Sequence, residues 1–379
     1  MTKLFFIFLS LFVFMFQPVA AQFKTIDASA RDTLKSTEIC IAWWNLENLF
    51  DTIDDPGKGD DDFLPSGKKQ WTQDRLHYKI TNLASVIASM NPDVLGFCEV
   101  EHESLIDSLL NYLPKKYDKV YYESSDRRGI DVGMIYNKTI FSLIHSEKHT
   151  VTLKGHPTRE IIEVTLAPNG SLSLARRGSG RGLGWGSTFL LNHWPSRLGG
   201  KLESEPRRLN AAKTAREIID NTFTTNKNAS IILLGDFNDE PFDRSLTDVL
   251  KATEDKHLVL DSNYLFNPMI ALKTAGLGTH RHGDNWNLLD QCIVSRSVMP
   301  YLADVRIFNT EAMFLKNRSK SADSEKRPWP TYSGSKYLGG YSDHLPIAIS
   351  LNLFPLLFEE RVGASAERSR SVRLQERPQ

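Results

Sequence analysis

An α/β layered domain is the fold class this sequence predicts, and two patterns predict it. Short, β-rich apolar runs recur along the chain, and segments with helical hydrophobic spacing fall between them. The composition, 41% hydrophobic and 24% charged, fits a globular protein and excludes a largely disordered or fibrous one. A length of 379 residues allows one large or two ordinary domains. The 46 basic and 46 acidic side chains cancel, so nothing global announces a nucleic-acid or anionic-membrane partner. Any phosphate-binding surface must be local.

The first residues stand apart from the fold. Lys3 precedes an apolar run over 4–16, Gln17-Pro18 interrupts it, and Val19-Ala20-Ala21 offers small residues for cleavage. Charge, length and cleavage chemistry predict a secretory signal peptide over 1–21, and the run is too short to span a bilayer. The expected location is exported, periplasmic or secreted, with no stable membrane association after cleavage. Nothing in the sequence implies a protein partner.

Strands are expected over 39–44 and 93–99, with a helix between them. Trp71, Leu76, Ile80, Leu83, Ile87 and Met90 recur at helical spacing, and Asn91-Pro92 ends the pattern. A short helix is expected at 103–113, then strands near 117–123, 130–136, 160–166 and 187–192. A long helix follows over 205–222, and 230–235 (SIILLG) reads as a fully apolar strand ending in a turn. The last strands are expected at 289–295, 303–308 and 346–352. Residues 168–187 are rich in Gly, Ser and Arg and read as a flexible loop. Residues 359–379 carry little apolar content and read as a disordered tail. Cys40, Cys98 and Cys292 each lie inside an apolar run without CxxC spacing, so three buried core thiols are expected rather than a metal site.

Polar residues collect where these strands end. Asn45 follows IAWW, Glu99 ends DVLGFCE, and His193 follows STFLLN. Asp236 and Asn238 sit in GDFN, Asp290 opens LLDQCIV, and Asp343-His344 precede the last strand. Taken singly, each has an ordinary role as a turn cap or a loop carboxylate. Together, several carboxylates, two amides and two histidines arrive without a matching excess of lysine, which calls for a cation. Hard oxygen donors without cysteine favour Mg²⁺, with Mn²⁺ possible, over zinc.

The ordered series WWNLEN, GFCEVE, NHWPSR, GDFND, LLDQ and YSDHLP resembles the endonuclease/exonuclease/phosphatase superfamily from about residue 38 to 353. The resemblance implies a four-layer α/β sandwich: two packed mixed β-sheets flanked by helices, in one domain over 38–354. A linker over 22–37 and a tail over 355–379 remain outside it. It also implies Glu99 as the principal metal ligand, with Asn45 and Asp343 completing the metal site. Asp236 and Asn238 match the pair that places the attacking water and the phosphoryl oxygens. His344 matches the active-site histidine, taken here as the base, and Asp290 the carboxylate that orients it. His193 resembles the second histidine of the deoxyribonuclease branch, with Asp131 in GIDVGMIY as its acidic partner.

These residue types suit phosphodiester hydrolysis. The ester's own negative charge repels a nucleophile, so a cation on a non-bridging oxygen and a base for water are both needed. NHWPSRLGG is similar to the stretch found in bacterial extracellular nucleases, which makes an exported nuclease acting on DNA or RNA the favoured reading. Arg197 and Arg208 are then candidate contacts to substrate phosphates, and Trp194 a candidate stacking platform. A phospholipase C-like enzyme or a phosphomonoesterase acting on lipid or sugar phosphates is the alternative. A catalytically inactive binding protein is disfavoured, because no ligand or histidine of the set is missing.

Overall fold

Strand β1 (Glu38–Leu49) is buried along nearly its whole length, which is why its sequence reads as a continuous apolar run rather than an alternating one. Ile39, Ile41 and Trp43 point into the core between two sheets, whereas Cys40, Ala42 and Trp44 point the other way, into a core shared with helices. The computed structural model describes residues 38–114, 117–153, 156–169, 186–315 and 326–352. The expectations for the signal peptide, the linker, the 355–379 tail and nearly all of the 168–187 loop fall outside those residues.

The other principal strands are β2 (Val94–Val100), β3 (Tyr117–Tyr122), β4 (Asp131–Asn137), β5 (Phe141–His149), β6 (Ile161–Pro168) and β7 (Ser187–His193). They continue with β8 (Ser230–Asp236), β9 (Ala252–Thr253), β10 (Leu265–Phe266), β11 (Asp290–Val294), β12 (Leu302–Ile307) and β13 (Ile347–Asn352). A six-stranded sheet has the order β12-β13-β1-β2-β4-β3, and a seven-stranded sheet the order β9-β10-β11-β8-β7-β6-β5. Both are mixed: β1 pairs parallel with β2 and antiparallel with β13, and β8 pairs parallel with β7 and antiparallel with β11.

Helices α1 (Gln73–Met90) and α2 (Glu103–Leu110) cover the outer face of the first sheet. Helix α3 (Lys201–Thr225) covers the outer face of the second. Helix, sheet, sheet, helix is the expected four-layer sandwich. Thr72 caps α1 by accepting the Arg75 amide, and Asn91, at φ 50°, closes it in the left-handed conformation before Pro92.

Helix α3 starts four residues before the expected boundary and carries Pro206 inside it. Proline lacks the amide that would reach the Leu202 carbonyl, while side-chain donors reinforce the two carbonyls before it. Arg208 donates to the Lys201 carbonyl at 2.7 Å, and the Ser204 hydroxyl donates to that of Gly200 at 2.5 Å. Strand β5 escaped the sequence reading because it is an exposed edge strand with a register shift between Leu143 and His145, so its residues do not alternate cleanly. The three cysteines are buried and none is in a disulfide.

Candidate active site

Strand register assembles the site. Asp236, the last residue of β8, lies opposite His193 on β7 and opposite Asp290 on β11. On the first sheet, Asn45 lies opposite Cys98, one residue before Glu99, and the β1–β2 register shifts immediately afterwards. The two sheets meet through side chains at these ends. Asn45 Nδ2 donates to Glu99 Oε1 at 3.2 Å and to Asp236 Oδ2 at 3.1 Å, so one amide ties a carboxylate of each sheet.

Gly96 in β2 allows the second tie. A Cβ on it would stand 2.7 Å from Cε3 of Trp43, so only glycine lets that ring lie flat across the strand. The Trp43 indole then donates to Asp290 Oδ1 at 3.1 Å, and Asp290 Oδ2 lies 2.6 Å from His344 Nδ1. Ser342 locks the histidine's backbone: its hydroxyl donates to the Asn45 carbonyl and accepts the His344 amide. Burial opposes a charge on His344, but Asp290 beside it, with Asp236 and Asp343, holds the imidazole well above its ordinary value.

The remaining groups carry complementary shifts. Burial, with the charge of Asp290, pushes Asp236 up to about 6, although His344, the Asn238 amide and Asn45 oppose this. Burial, with Glu47 and Glu99 nearby, pushes Asp343 up to about 7 against His344 and Lys79. His193 is held well below its usual value by burial, Arg159 and Arg128. Its Nε2 lies 3.7 Å from Glu99 Oε1 and 3.9 Å from Asp236 Oδ2. Asn238, at φ 50°, donates its amide to Asp236 Oδ1 and its Nδ2 to the Trp194 carbonyl, which fixes the GDFN turn.

Several expectations need correction. Asp131 is not hydrogen-bonded to His193: its carboxylate accepts the Tyr121 hydroxyl at 2.7 Å and the Ser124 amide at 2.7 Å, while His193 Nδ1 has no hydrogen-bond partner among the described residues. Arg208 does not reach a substrate phosphate, because it is fully buried under α3 and ion-paired with Asp239 at 2.7 Å. Arg197, whose side chain stays 22% exposed, donates to the Asn238 carbonyl at 2.7 Å beside the GDFN turn and lies 3.4 Å from Asp243. Trp194 is buried edge-on against Phe237, so it packs rather than stacks a base. Asn45 is placed with the metal-site carboxylates, yet it offers them N–H, since its Oδ1 accepts the Glu47 amide at 2.9 Å. Its Nδ2 thus braces the two carboxylates, while its Oδ1 keeps a second lone pair beyond the Glu47 amide.

The structure also adds residues. Lys79, 1% exposed, donates to the Glu47 carbonyl at 2.9 Å and to Thr331 Oγ1 at 2.5 Å, with Glu47 Oε2 at 3.7 Å. Burial lowers this lysine, although Glu47, Asp343 and Glu99 pull it back up. A lysine on the apolar stripe of α1, between Leu76 and Leu83, was the available sign. His280 forms a β-bridge with His344, their ring centroids 4.7 Å apart, and burial holds it down to about 3, hence neutral. Glu47, Asn48, Glu99 and Asn238 all take positive φ, a strained conformation for glutamate in particular. In return, the Asn48 amide reaches Glu99 Oε2 at 3.0 Å.

Two packed sheets whose strand ends converge on carboxylates and imidazoles define an α/β sandwich with a carboxylate- and imidazole-lined candidate site. The model of the endonuclease/exonuclease/phosphatase family matches residues 40–353, and the chain belongs to that family, whose members hydrolyse phosphoesters. No curated protein matches the chain. Among solved structures, a family protein from Bacteroides thetaiotaomicron is 16% identical, covering 83% of this chain and 95% of its own, with a TM-score of 0.50. A mannosyl-6-phosphatase of the same species is 15% identical over 82% and 98%, with a TM-score of 0.49. The human Nocturnin catalytic domain is 19% identical over 84% and 95%, with a TM-score of 0.49. At such identities the likeness concerns the fold alone.

Proposed function

We propose that this protein is an exported, divalent-cation-dependent phosphodiesterase, with nucleic acid as its substrate class and Mg²⁺, or Mn²⁺, as its ion. The observation that carries the reading is the tie from Asn45 to both Glu99 and Asp236, beside an Asp343 whose carboxyl is raised to about 7. Carboxylates gathered this tightly ask for a cation, and the donor set, oxygen without thiolate, fits a hard one. Glu99 and Asp343 are the residues that would hold it. When bound, such an ion offsets charge growing on the phosphoryl oxygens.

The chain's own residues supply the rest. Asp236, raised to about 6, is suited to accept a proton from attacking water near neutral pH. His344, held positive by Asp290, keeps Nε2 as its remaining donor for a phosphoryl or leaving-group oxygen. That assignment moves the base from His344, where the sequence reading placed it, to Asp236. Neutral His193 lines the same cluster through Nε2. The leader sequence over 1–21 supports export.

One observation favours a second substrate class. Arg208 is fully buried against Asp239, which withdraws a cation that a polyanion beyond the scissile phosphate would use. A small sugar or lipid phosphate needs no such flank. Plasmid, RNA, sphingomyelin, a sugar phosphate and a small phosphodiester, each with and without Mg²⁺, decide between them. Mg²⁺-dependent cleavage of nucleic acid, falling at least about 100-fold in Glu99→Gln, is the expected result. Cleavage of sphingomyelin or a sugar phosphate alone would remove the nuclease reading, and full activity in excess chelator would remove the metal.

A further inference from the structure

A short hairpin outside the two sheets brings one more imidazole to the site. Its strands, His280–His282 and Asn285–Asn287, pair antiparallel, with His280 opposite Asn287. The hairpin is tied to the segment that carries His344: the Leu345 amide donates to the Thr279 carbonyl at 2.8 Å, and His280 bridges His344 directly. Thr279 also reaches the other member of the dyad, its hydroxyl accepting the Asp290 amide at 3.3 Å. With its backbone fixed in this way, His280 lies over His344, the ring centroids 4.7 Å apart and the planes at 37°. One ligand atom from each of His280, Asp343 and His344 lies within 4.8 Å of the others.

The two nitrogens of His280 differ. Nδ1 is shut off from solvent and has no hydrogen-bond partner among the described residues, whereas Nε2, equally unpartnered there, is open to solvent. The ring is neutral, because burial and the charges of His344, His282 and Arg197 hold it down. It therefore carries one proton. On Nδ1 that proton would make a buried donor with nothing to accept it; on Nε2 it leaves only a bare lone pair inside and keeps the N–H on the open side. Packing alone does not account for this residue. A phenylalanine would fill the same place against His344 and leave no bare nitrogen in the interior. The cost of the histidine is offset where Nε2 has an acceptor to meet, and the acceptor that a phosphoester brings to this cleft is a phosphoryl oxygen.

We propose that His280 is a substrate-contacting residue of this site, donating its Nε2–H to a phosphoryl oxygen beside the one that His344 meets. The assignment rests on the phosphoester-hydrolase reading above and divides the work between two stacked imidazoles. His344 supplies a positive donor and His280 a neutral one. Two imidazolium rings at this spacing would repel each other, so the neutral ring is the one that can share a phosphoryl group with His344.

The test compares the full chain as wild type, His280→Phe and His280→Gln. Phenylalanine keeps a ring against His344 and lacks the donor; glutamine lacks the ring and keeps an amide N–H at similar reach. With Mg²⁺ present, each form is assayed for hydrolysis of bis(p-nitrophenyl) phosphate and, by calorimetry, for binding of inorganic phosphate. His280→Phe should melt no lower than wild type yet lose at least about 10-fold in kcat/KM and in phosphate affinity. His280→Gln should recover both to within about threefold of wild type. A His280→Phe protein as active and as tight for phosphate as wild type would overturn the contact and leave the ring a packing residue. Equal losses in both variants would overturn it too, because the ring's shape and not its donor would then matter. Phosphate binding that depends on His280 as expected, in a wild type that hydrolyses no phosphoester, would keep the contact and remove the proposed function; hydrolysis indifferent to both variants would do the reverse.

Discussion

Nδ1 of His344 stands 2.6 Å from Oδ2 of Asp290, whose other oxygen accepts the Trp43 indole N–H across the sheet interface. The three groups form a relay from the first sheet's core to a histidine placed just before the last strand. Asp290 is wholly buried, so its charge is screened little and favours the imidazolium with its Nδ1 proton aimed at Oδ2.

Asp290→Asn keeps the shape and removes that preference. We expect kcat to fall by at least about 100-fold with KM little changed, because the histidine's orientation matters only in the transition state. The double variant with His344→Ala should be little worse than His344→Ala alone. Additive losses in this cycle would show that the two residues act independently.

Asp343 gives a pH signature. Its carboxyl is raised to about 7 from an ordinary 3.8, so the folded state holds its proton more tightly than the unfolded state does. In chelator, wild type therefore loses stability relative to Asp343→Asn as pH rises from 3.8 to about 7, and the gap is full above that. Mg²⁺ should narrow the gap. Parallel melting curves of the two proteins across this window check it, and a gap independent of pH would contradict the shift.

Lys79 and Glu47 form a buried pair behind Glu99 and Asp343. Lys79→Met leaves the Glu47 carboxylate without its cation, and we expect a loss of about 3–5 kcal/mol in chemical denaturation. Glu47→Gln added to it should recover most of that loss. Failure of the second change to rescue would mean that the lysine acts through packing alone.

Arg208 separates structure from recognition. Fully buried against Asp239, it should cost about 3 kcal/mol of stability when changed to Met, because Asp239 is left with the Ser245 hydroxyl at 2.6 Å and Arg197 at 3.9 Å in place of its direct ion pair. The salt dependence of nucleic-acid binding should not change, whereas a phosphate contact would flatten its log–log slope by about one unit. Filter binding at several salt concentrations distinguishes the two.

Much of this was legible in the sequence because strand ends announce themselves. GDFN follows a fully apolar strand and YSDHLP precedes another, so their polar residues had to sit at sheet edges, and the register places Asp236 between His193 and Asp290. What escaped depends on partners distant in sequence. Arg208 reads as a surface cation until Asp239 is seen beside it, and Asp131 looks available until Tyr121 and Ser124 claim it. The α1 boundaries came from periodicity and Asn91-Pro92, whereas the start of α3 was set by side-chain donors that periodicity does not register. Short pieces such as β9 and β10 carry too few residues to show a period at all.

The buried thiols make the molecule its own unfolding clock. Cys98 and Cys292 lie in the core between the sheets, and burial pushes both thiols upward, so neither reacts while the sandwich is closed. Alkylation by a small reagent must wait for the sheets to part. With labelling of the closed state excluded, the labelling rate at saturating reagent reads the opening rate directly, and at low reagent it reads the fraction open. Labelling Cys98 and Cys292 in step would show that the two halves separate as one unit, without any residue being introduced into the protein.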